Sequence, residues 1–272
     1  MIKTLARYEI KQAFRSKWLL VLGLLYFSLS LLSLFLTESN RVEGFDGFTR
    51  QMASLLNISL FILPLFTLMI GSLLLAGEKE DGQYTLYKTY PVTASQYVLG
   101  KWVGLVTAFL LLLTAAYGVS VMVVAWTSTV RWSVVFFYYG MNVILVLTTL
   151  SIAFFIGFHV KNRLHALGAS LLIWAFLVLF YELLIITITF LVPATQVQNV
   201  LTLSVFFNPI EVARVSAILW IEGGTFFGPT MYDFTKWAVS PTGIIFFIIS
   251  VLAWLLIPLL LSILNMRKGR DS

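Results

Sequence analysis

Six apolar runs constrain this chain more than any other feature: Trp18–Leu36, Met52–Ala76, Trp102–Ala125, Val134–Phe158, Ala166–Val192 and Gly243–Leu264. A bilayer core of roughly 30 Å is crossed by about 20 apolar residues in a helix. In hydrocarbon each spanning segment must also satisfy its own backbone N–H and C=O groups, and a helix does this within itself. The runs therefore predict an all-α polytopic membrane protein with six transmembrane helices in one domain over residues 1–272. Charged residues make up 11% of the chain, against about 25% in soluble domains. Cysteine is absent, which excludes disulfides, thiolate metal sites and a cysteine nucleophile.

Orientation follows from where Lys and Arg fall. Six spans put both termini on one side, together with Lys3, Arg7, Lys11, Arg15, Lys17, Lys79, Lys88, Lys101, Lys161, Arg163, Arg267, Lys268 and Arg270. The other side holds Arg41, Arg50, Arg131, Arg214 and Lys236. Thirteen against five predicts a multi-pass membrane protein with both termini cytoplasmic. The net charge of +6 is then mostly this inside bias, and nucleic acid is not an expected partner. A basic stretch precedes the first run, but no small-residue cleavage site follows Leu36, so that run is read as a retained helix and not a signal peptide.

Residues 2–17 read as an amphipathic helix before span one. Ile2, Leu5, Ala6, Ile10, Ala13 and Phe14 recur at helical spacing, and Lys3, Arg7, Lys11 and Arg15 recur every four residues on the flank. Such a helix is expected in the headgroup layer, its basic side toward anionic lipid. It is also placed to touch a cytoplasmic subunit.

The densest charge lies between spans two and three, in Gly77-Glu78-Lys79-Glu80-Asp81-Gly82. Gly77 and Gly82 are candidate helix breakers. Gln83–Tyr90 has length for about two helical turns, which Pro91 would stop. Thr93 and Gln96 have capping-box spacing for the next helix. The predicted order is span, acidic turn, short cytoplasmic helix, break, span. The short loop His159–His165 is a second contact with the inside. Its two histidines are six apart, on different helical faces and without acidic or Cys neighbours, so no metal site is expected.

Outside, Pro193–Thr242 is too apolar for a free loop. Asn208-Pro209-Ile210-Glu211 reads as N-cap, Pro at N1 and Glu at N3, starting a helix to about Ile221 that Gly223-Gly224 would end. Val200–Phe207 is a candidate element before it. With Trp220, Phe226, Phe227, Tyr232 and Trp237 nearby, outer interfacial helices are expected between spans five and six. Glu182 is the acidic residue within a predicted span. Its charge has to be paired, protonated or turned to the bundle interior, and Asn57, Asn142, Thr148, Thr149 and Thr187 are the candidate partners. Glu182, Asn142 and Asn57 are the candidate pathway or gate residues. Pro64 and Pro258 are candidate kinks.

No catalytic constellation is found: the chain has no G-x-x-x-x-G-K-[ST], H-E-x-x-H or G-x-S-x-G sequence. It is read as a non-enzyme with no cofactor of its own.

These features together resemble the ABC-2-type transporter permeases. The stretch Leu73-Leu74-Leu75-Ala76-Gly77-Glu78-Lys79-Glu80-Asp81-Gly82, with Tyr90-Pro91-Val92 and Leu99-Gly100-Lys101, is similar to that family's "E-x-E-x-G-T…YP…LGK" pattern. Gln83-Tyr84-Thr85 stands where a Gly-Thr pair is usual. Phe207-Asn208-Pro209-Ile210-Glu211-Val212-Ala213-Arg214 is similar to an "NP…R" stretch of the NosY type, the permease of the ABC complex serving nitrous oxide reductase maturation. The resemblance implies a homodimer above two separate ATPase subunits, which would bind the ATP and Mg. Glu78, Glu80 and Asp81 would form the charged docking face. Tyr84, Leu86 and Tyr87 would be the apolar knob, and Tyr90-Pro91 would set the angle of return. Asn208, Pro209, Glu211 and Arg214 would organise the outer helix. An extracytoplasmic maturation protein is implied for the NosY type. Other ABC-2 members export lipid, polysaccharide, peptide or drug. A secondary transporter built on Glu182 is a further alternative, but no matching pair of interrupted segments marks an internal repeat. A membrane-anchored assembly factor without transport is another.

Overall fold

A computed structural model of the chain describes residues 2–39, 47–83, 92–127, 130–222 and 231–271. All the regular elements among them are helical. The order is α1 (Ile2–Arg15), α2 (Lys17–Ser39), α3 (Gly47–Glu80), α4 (Ala94–Thr127), α5 (Trp132–His159), α6 (Arg163–Ala175), a π-helical turn (Phe176–Phe180), α7 (Tyr181–Leu191), α8 (Ala194–Phe206), α9 (Pro209–Glu222), α10 (Tyr232–Ala238) and α11 (Pro241–Asp271).

Five of these stretches are long and apolar enough to cross a membrane: Met52–Glu80, Ala94–Val123, Trp132–His159, Arg163–Leu191 and Pro241–Arg267. They match predicted spans two to six, extended mainly at the ends that the sequence predicts to be cytoplasmic, where charged residues continue the helix. Predicted span one falls on α2, which is 23 residues long and whose described apolar stretch is Leu19–Leu29. Between α7 and α10 the pair α8–α9 bends by 110° at Phe207–Asn208. So sharp a bend takes the second leg past the perpendicular to the first, and the bent pair is called the hairpin below. The expected short element at Val200–Phe207 is thus the end of a longer helix, α8. The predicted Gly223-Gly224 stop, with Phe226 and Phe227, lies outside the described residues.

α5 forms the centre. Of its most apolar window 72% is buried, against 11% for α6–α7 and 17% for α11, so the last two are the peripheral spans. α3 lies against α5 through small residues: a Cβ on Gly71 would meet Ala153 Cβ at 2.8 Å, and one on Gly157 would meet Leu75 Cβ at 2.7 Å. Without a hydrophobic drive between helices in lipid, such close approach is what holds them. Polar pairs tie α3 to α2, α5 and α6. Tyr26 bonds Ser59 at 2.7 Å, Thr67 bonds Thr149 at 2.7 Å, and the Ser72 and Ser170 hydroxyls meet at 2.6 Å. Pro64 and Pro258 lie inside the continuous helices α3 and α11.

Candidate functional site

The end of the bundle where α1, α3 and α4 meet is organised around one lysine. α1 lies against α4, where Gly104 removes the side chain that would otherwise separate them: a Cβ there would stand 2.8 Å from Ala6 O and 2.5 Å from Glu9 Cβ. The face of α1 turned to the bundle is Ala6, Glu9 and Ala13, all buried. Lys3, Arg7, Lys11 and Arg15 are on the exposed side. Glu9 thus enters the protein interior from a helix whose apolar stripe does not announce it. There it meets Lys101 of α4, which is 1% exposed and also paired with Glu78 at the end of α3. Tyr97 completes the cluster, donating its hydroxyl to Glu78 Oε2 at 2.8 Å.

This triad ties α1, α3 and α4 together at the base of the loop that joins spans two and three. It holds two carboxylates and one ammonium, so in full ionisation it carries an excess negative charge in a buried place. Burial raises the Glu9 carboxyl above its ordinary range, opposed by the Lys101 charge and reinforced by the Glu78 charge. Glu78 was expected on an exposed docking face. The structure corrects this: Glu78 is 5% exposed and committed to Lys101 and Tyr97, because the helix continues through Gly77 and turns Glu78 inward.

The next charges along the chain face outward and meet the loop between α5 and α6. Glu80 accepts the Arg163 backbone N–H at 2.9 Å and Asp81 pairs with the Arg163 guanidinium at 2.5 Å. Lys79 donates to the carbonyls of Phe158 and Val160 at the end of α5, and Asn265 of α11 donates to the same Phe158 carbonyl at 3.0 Å. Asn162 accepts the His165 N–H at 2.9 Å as the N-cap of α6. His159 bonds the Phe155 carbonyl on its own helix, and His165 bonds Asn162, so the two rings make separate local contacts. A cavity of about 300 Å³ opens here, lined by Gln12, Ser16, Leu73, Glu78, Asp81 and Arg163 among others.

Gly82, at φ 74°, ends α3 in the left-handed conformation, where glycine carries no Cβ penalty. On the return side the predicted capping box is in place. Thr93 Oγ1 accepts the Gln96 N–H at 3.3 Å, and Gln96 Oε1 accepts the Thr93 N–H at 3.2 Å. Tyr84, Leu86, Tyr87, Tyr90 and Pro91, the expected knob and return, lie outside the described residues.

A second charged group lies at the other end. Arg214 of α9 pairs with Glu182 of α7 and, at 3.3 Å, with Glu211 one turn before it. The Asn and Thr partners proposed for Glu182 are therefore replaced by an arginine from the hairpin. Asn208 caps α9 through Ile210 N–H at 3.0 Å, and its amide donates to Leu177 O at 2.7 Å. Asn142 is buried in α5, donating to its own Tyr138 carbonyl at 3.0 Å. Asn57 is exposed on α3. Among the described residues, none of Glu182, Asn142 and Asn57 is hydrogen-bonded to another of the three.

The sequence comparisons agree with this architecture. A family model described as "ABC-2 family transporter protein" matches residues 3–268. The chain belongs to the ABC-2 transporter family. It is 26% identical over 270 residues to a protein of Stutzerimonas stutzeri named "Probable ABC transporter permease protein NosY", covering 97% of each chain. It is 27% identical over 221 residues to the protein of that name from Pseudomonas aeruginosa, covering 79% of this chain and 80% of the relative.

In this ABC-2 permease the sequence singles out Glu78 and Glu182 but not their partners. Nothing in the pattern marks Tyr97, and Arg163 enters it only as a charge that sets orientation; Lys101 enters also through the Leu99-Gly100-Lys101 motif and Arg214 as an organiser of the outer helix, neither with its partner. One signal is available for Glu9: an acid between Ala6 and Ala13, at i−3 and i+4, stands on the stripe those two define.

Proposed function

We propose that this permease works as a homodimer coupled to two copies of a separate ATPase subunit. The ATPase would dock on the inner face around Glu80, Asp81 and the loop that follows, and would hold the ATP and Mg. Both termini are on the cytoplasmic side in this reading, in keeping with the inside bias of Lys and Arg. The observation that carries it is the buried Glu9–Lys101–Glu78 triad. A loop anchored only by solvated residues would absorb a push from below. Here both stems of the loop are tied to each other and to α1 by buried charge, so a displacement of the loop has to move α3 and α4 with it.

The likeness to the NosY proteins supports a narrower reading, in which that motion serves maturation of an extracytoplasmic copper enzyme of the nitrous oxide reductase kind, with an outer partner protein. Pairing of Glu182 with Arg214 argues against a proton-coupled carrier built on Glu182, because the carboxylate already has its countercharge. Purification from gently solubilised native membranes tests the proposal. An ATPase subunit with a phosphate-binding loop should appear in equal copy number with this chain. Its absence across several detergents and nucleotide conditions would refute the coupling. A co-purifying extracytoplasmic maturation protein would support the narrower reading.

A further inference from the structure

Span five is interrupted at a place where three bonds from the hairpin converge. After α6 the chain makes the π-helical turn Phe176–Phe180, closed by the Tyr181 N–H on Phe176 O. A π-turn holds one residue more than the α-helix around it, and such turns are frequent at functional sites. Asn208 donates to Leu177 O within this turn at 2.7 Å. Tyr181, the next residue after it, donates its hydroxyl to Ser204 O at 2.5 Å. Glu182, one further on, pairs with Arg214. Ser204 lies on α8, Arg214 on α9 and Asn208 at the bend, so all parts of the hairpin hold one six-residue stretch of span five.

The inner half of the same span meets the acidic end of α3. Arg163, the first residue of α6, is held by Glu80 and Asp81, and Ser170 meets Ser72 at 2.6 Å. Span five thus runs from the inner charged face to the hairpin, with the extra residue between. Most of its surface is left unpacked, and on its one packed side α6 is held to α3 by Ser170, which also donates to Leu68 O at 3.1 Å, and by Trp174, which donates to Phe61 O at 3.0 Å; rotation of α6 exchanges these few polar contacts.

We propose that the π-turn is a one-residue register switch, kept in its π form by the hairpin through Asn208, Tyr181 and Arg214. When these contacts release, the turn closes to an α-helix. α6 then advances one residue relative to α7, a rotation of about 100° and a shift of about 1.5 Å. The same step carries Ser170 off Ser72 and Arg163 off Glu80 and Asp81, so the hairpin and the inner charged face report on each other. Use of this switch by an ATPase rests on the function proposed above. The switch itself does not.

The absence of cysteine makes the test direct. In the full chain, reconstituted in lipid nanodiscs, Ser72→Cys is combined in turn with Ala169→Cys, Ser170→Cys or Leu171→Cys, and disulfide yield is measured under mild oxidation. The 72–170 pair should dominate with the hairpin contacts intact. Two variants weaken them: Glu182→Gln, and Asn208→Ser, whose hydroxyl keeps an N-cap acceptor but is too short to reach Leu177 O. Each should move yield from the 170 pair to a neighbouring pair by roughly fivefold, the worth of one net hydrogen bond. Unchanged yields in both variants, with thermal unfolding as in the parent, would overturn the switch. Should Asn208→Ser fail to fold, the half-exposed Glu182→Gln decides alone. No ATPase enters this assay, so failure here leaves the coupling proposal standing, and loss of that proposal leaves this result intact.

Discussion

Replacing Lys101 by Met tests how α1, α3 and α4 are held together. Lys101 is 1% exposed, with Glu9 at 2% and Glu78 at 5%, so the substitution removes the cation and leaves two carboxylates in a place water hardly reaches. Removing one partner of a buried ion pair costs about 3–5 kcal/mol. At about 1.4 kcal/mol per tenfold change, that is roughly two to four orders of magnitude in the equilibrium between docked and detached α1. The readout is hydrogen-exchange protection and protease sensitivity of residues 2–15 in purified protein, beside thermal unfolding of the whole chain. The loss should centre on α1, because α3 and α4 keep their apolar contacts with the rest of the bundle. The control is the triple variant Glu9→Gln, Lys101→Met and Glu78→Gln, which removes every charge and keeps an acceptor for the Tyr97 hydroxyl. Replacing a buried ion cluster by neutral groups of similar volume is often neutral or stabilising, so the triple variant should recover most of the protection. If Lys101→Met leaves α1 as protected as in the parent, the triad does not hold it. If the triple variant is as damaged as the single one, shape and not charge is at stake, and the reasoning fails.

Two further outcomes are expected. The raised Glu9 carboxyl means the folded state binds that proton more tightly than the unfolded chain, so the stability it contributes is full below the ordinary pKa of 4.5 and is lost as pH rises through the folded value; α1 protection should fall over that window, and Glu9→Gln should flatten the profile. Charge reversal at Glu80 and Asp81 should change thermal stability by less than about 1 kcal/mol, because these are exposed pairs, while lowering ATPase activity driven through the permease; full coupled activity in the reversed variant would remove these two residues from the docking surface.

Features set by neighbours along the chain are legible in the amino-acid sequence alone. Spans two to six fall where the apolar runs predict, because about 20 apolar residues dictate a spanning helix regardless of what surrounds them. The Thr93–Gln96 box and the Asn208-Pro209 helix start are readable for the same reason, since a cap is completed within three residues. Helix α3 runs past its predicted end because Gly77 carries only a modest helix penalty, while Glu78 gains buried partners by staying helical.

The sequence by itself therefore determined the class of molecule, the place and order of spans two to six, and several helix ends. All of these rest on hydropathy and local hydrogen bonding. Only the tertiary structure decided which charge faces which. Glu9 finds Lys101 across 92 positions, Arg163 finds Asp81 across 82, and Arg214 finds Glu182 across 32. Separation along the chain carries no information about such pairs. The first exists because a charge in a low-dielectric interior has to meet an opposite one; the other two are more exposed, and in all three helix packing determines which opposite charge lies within reach.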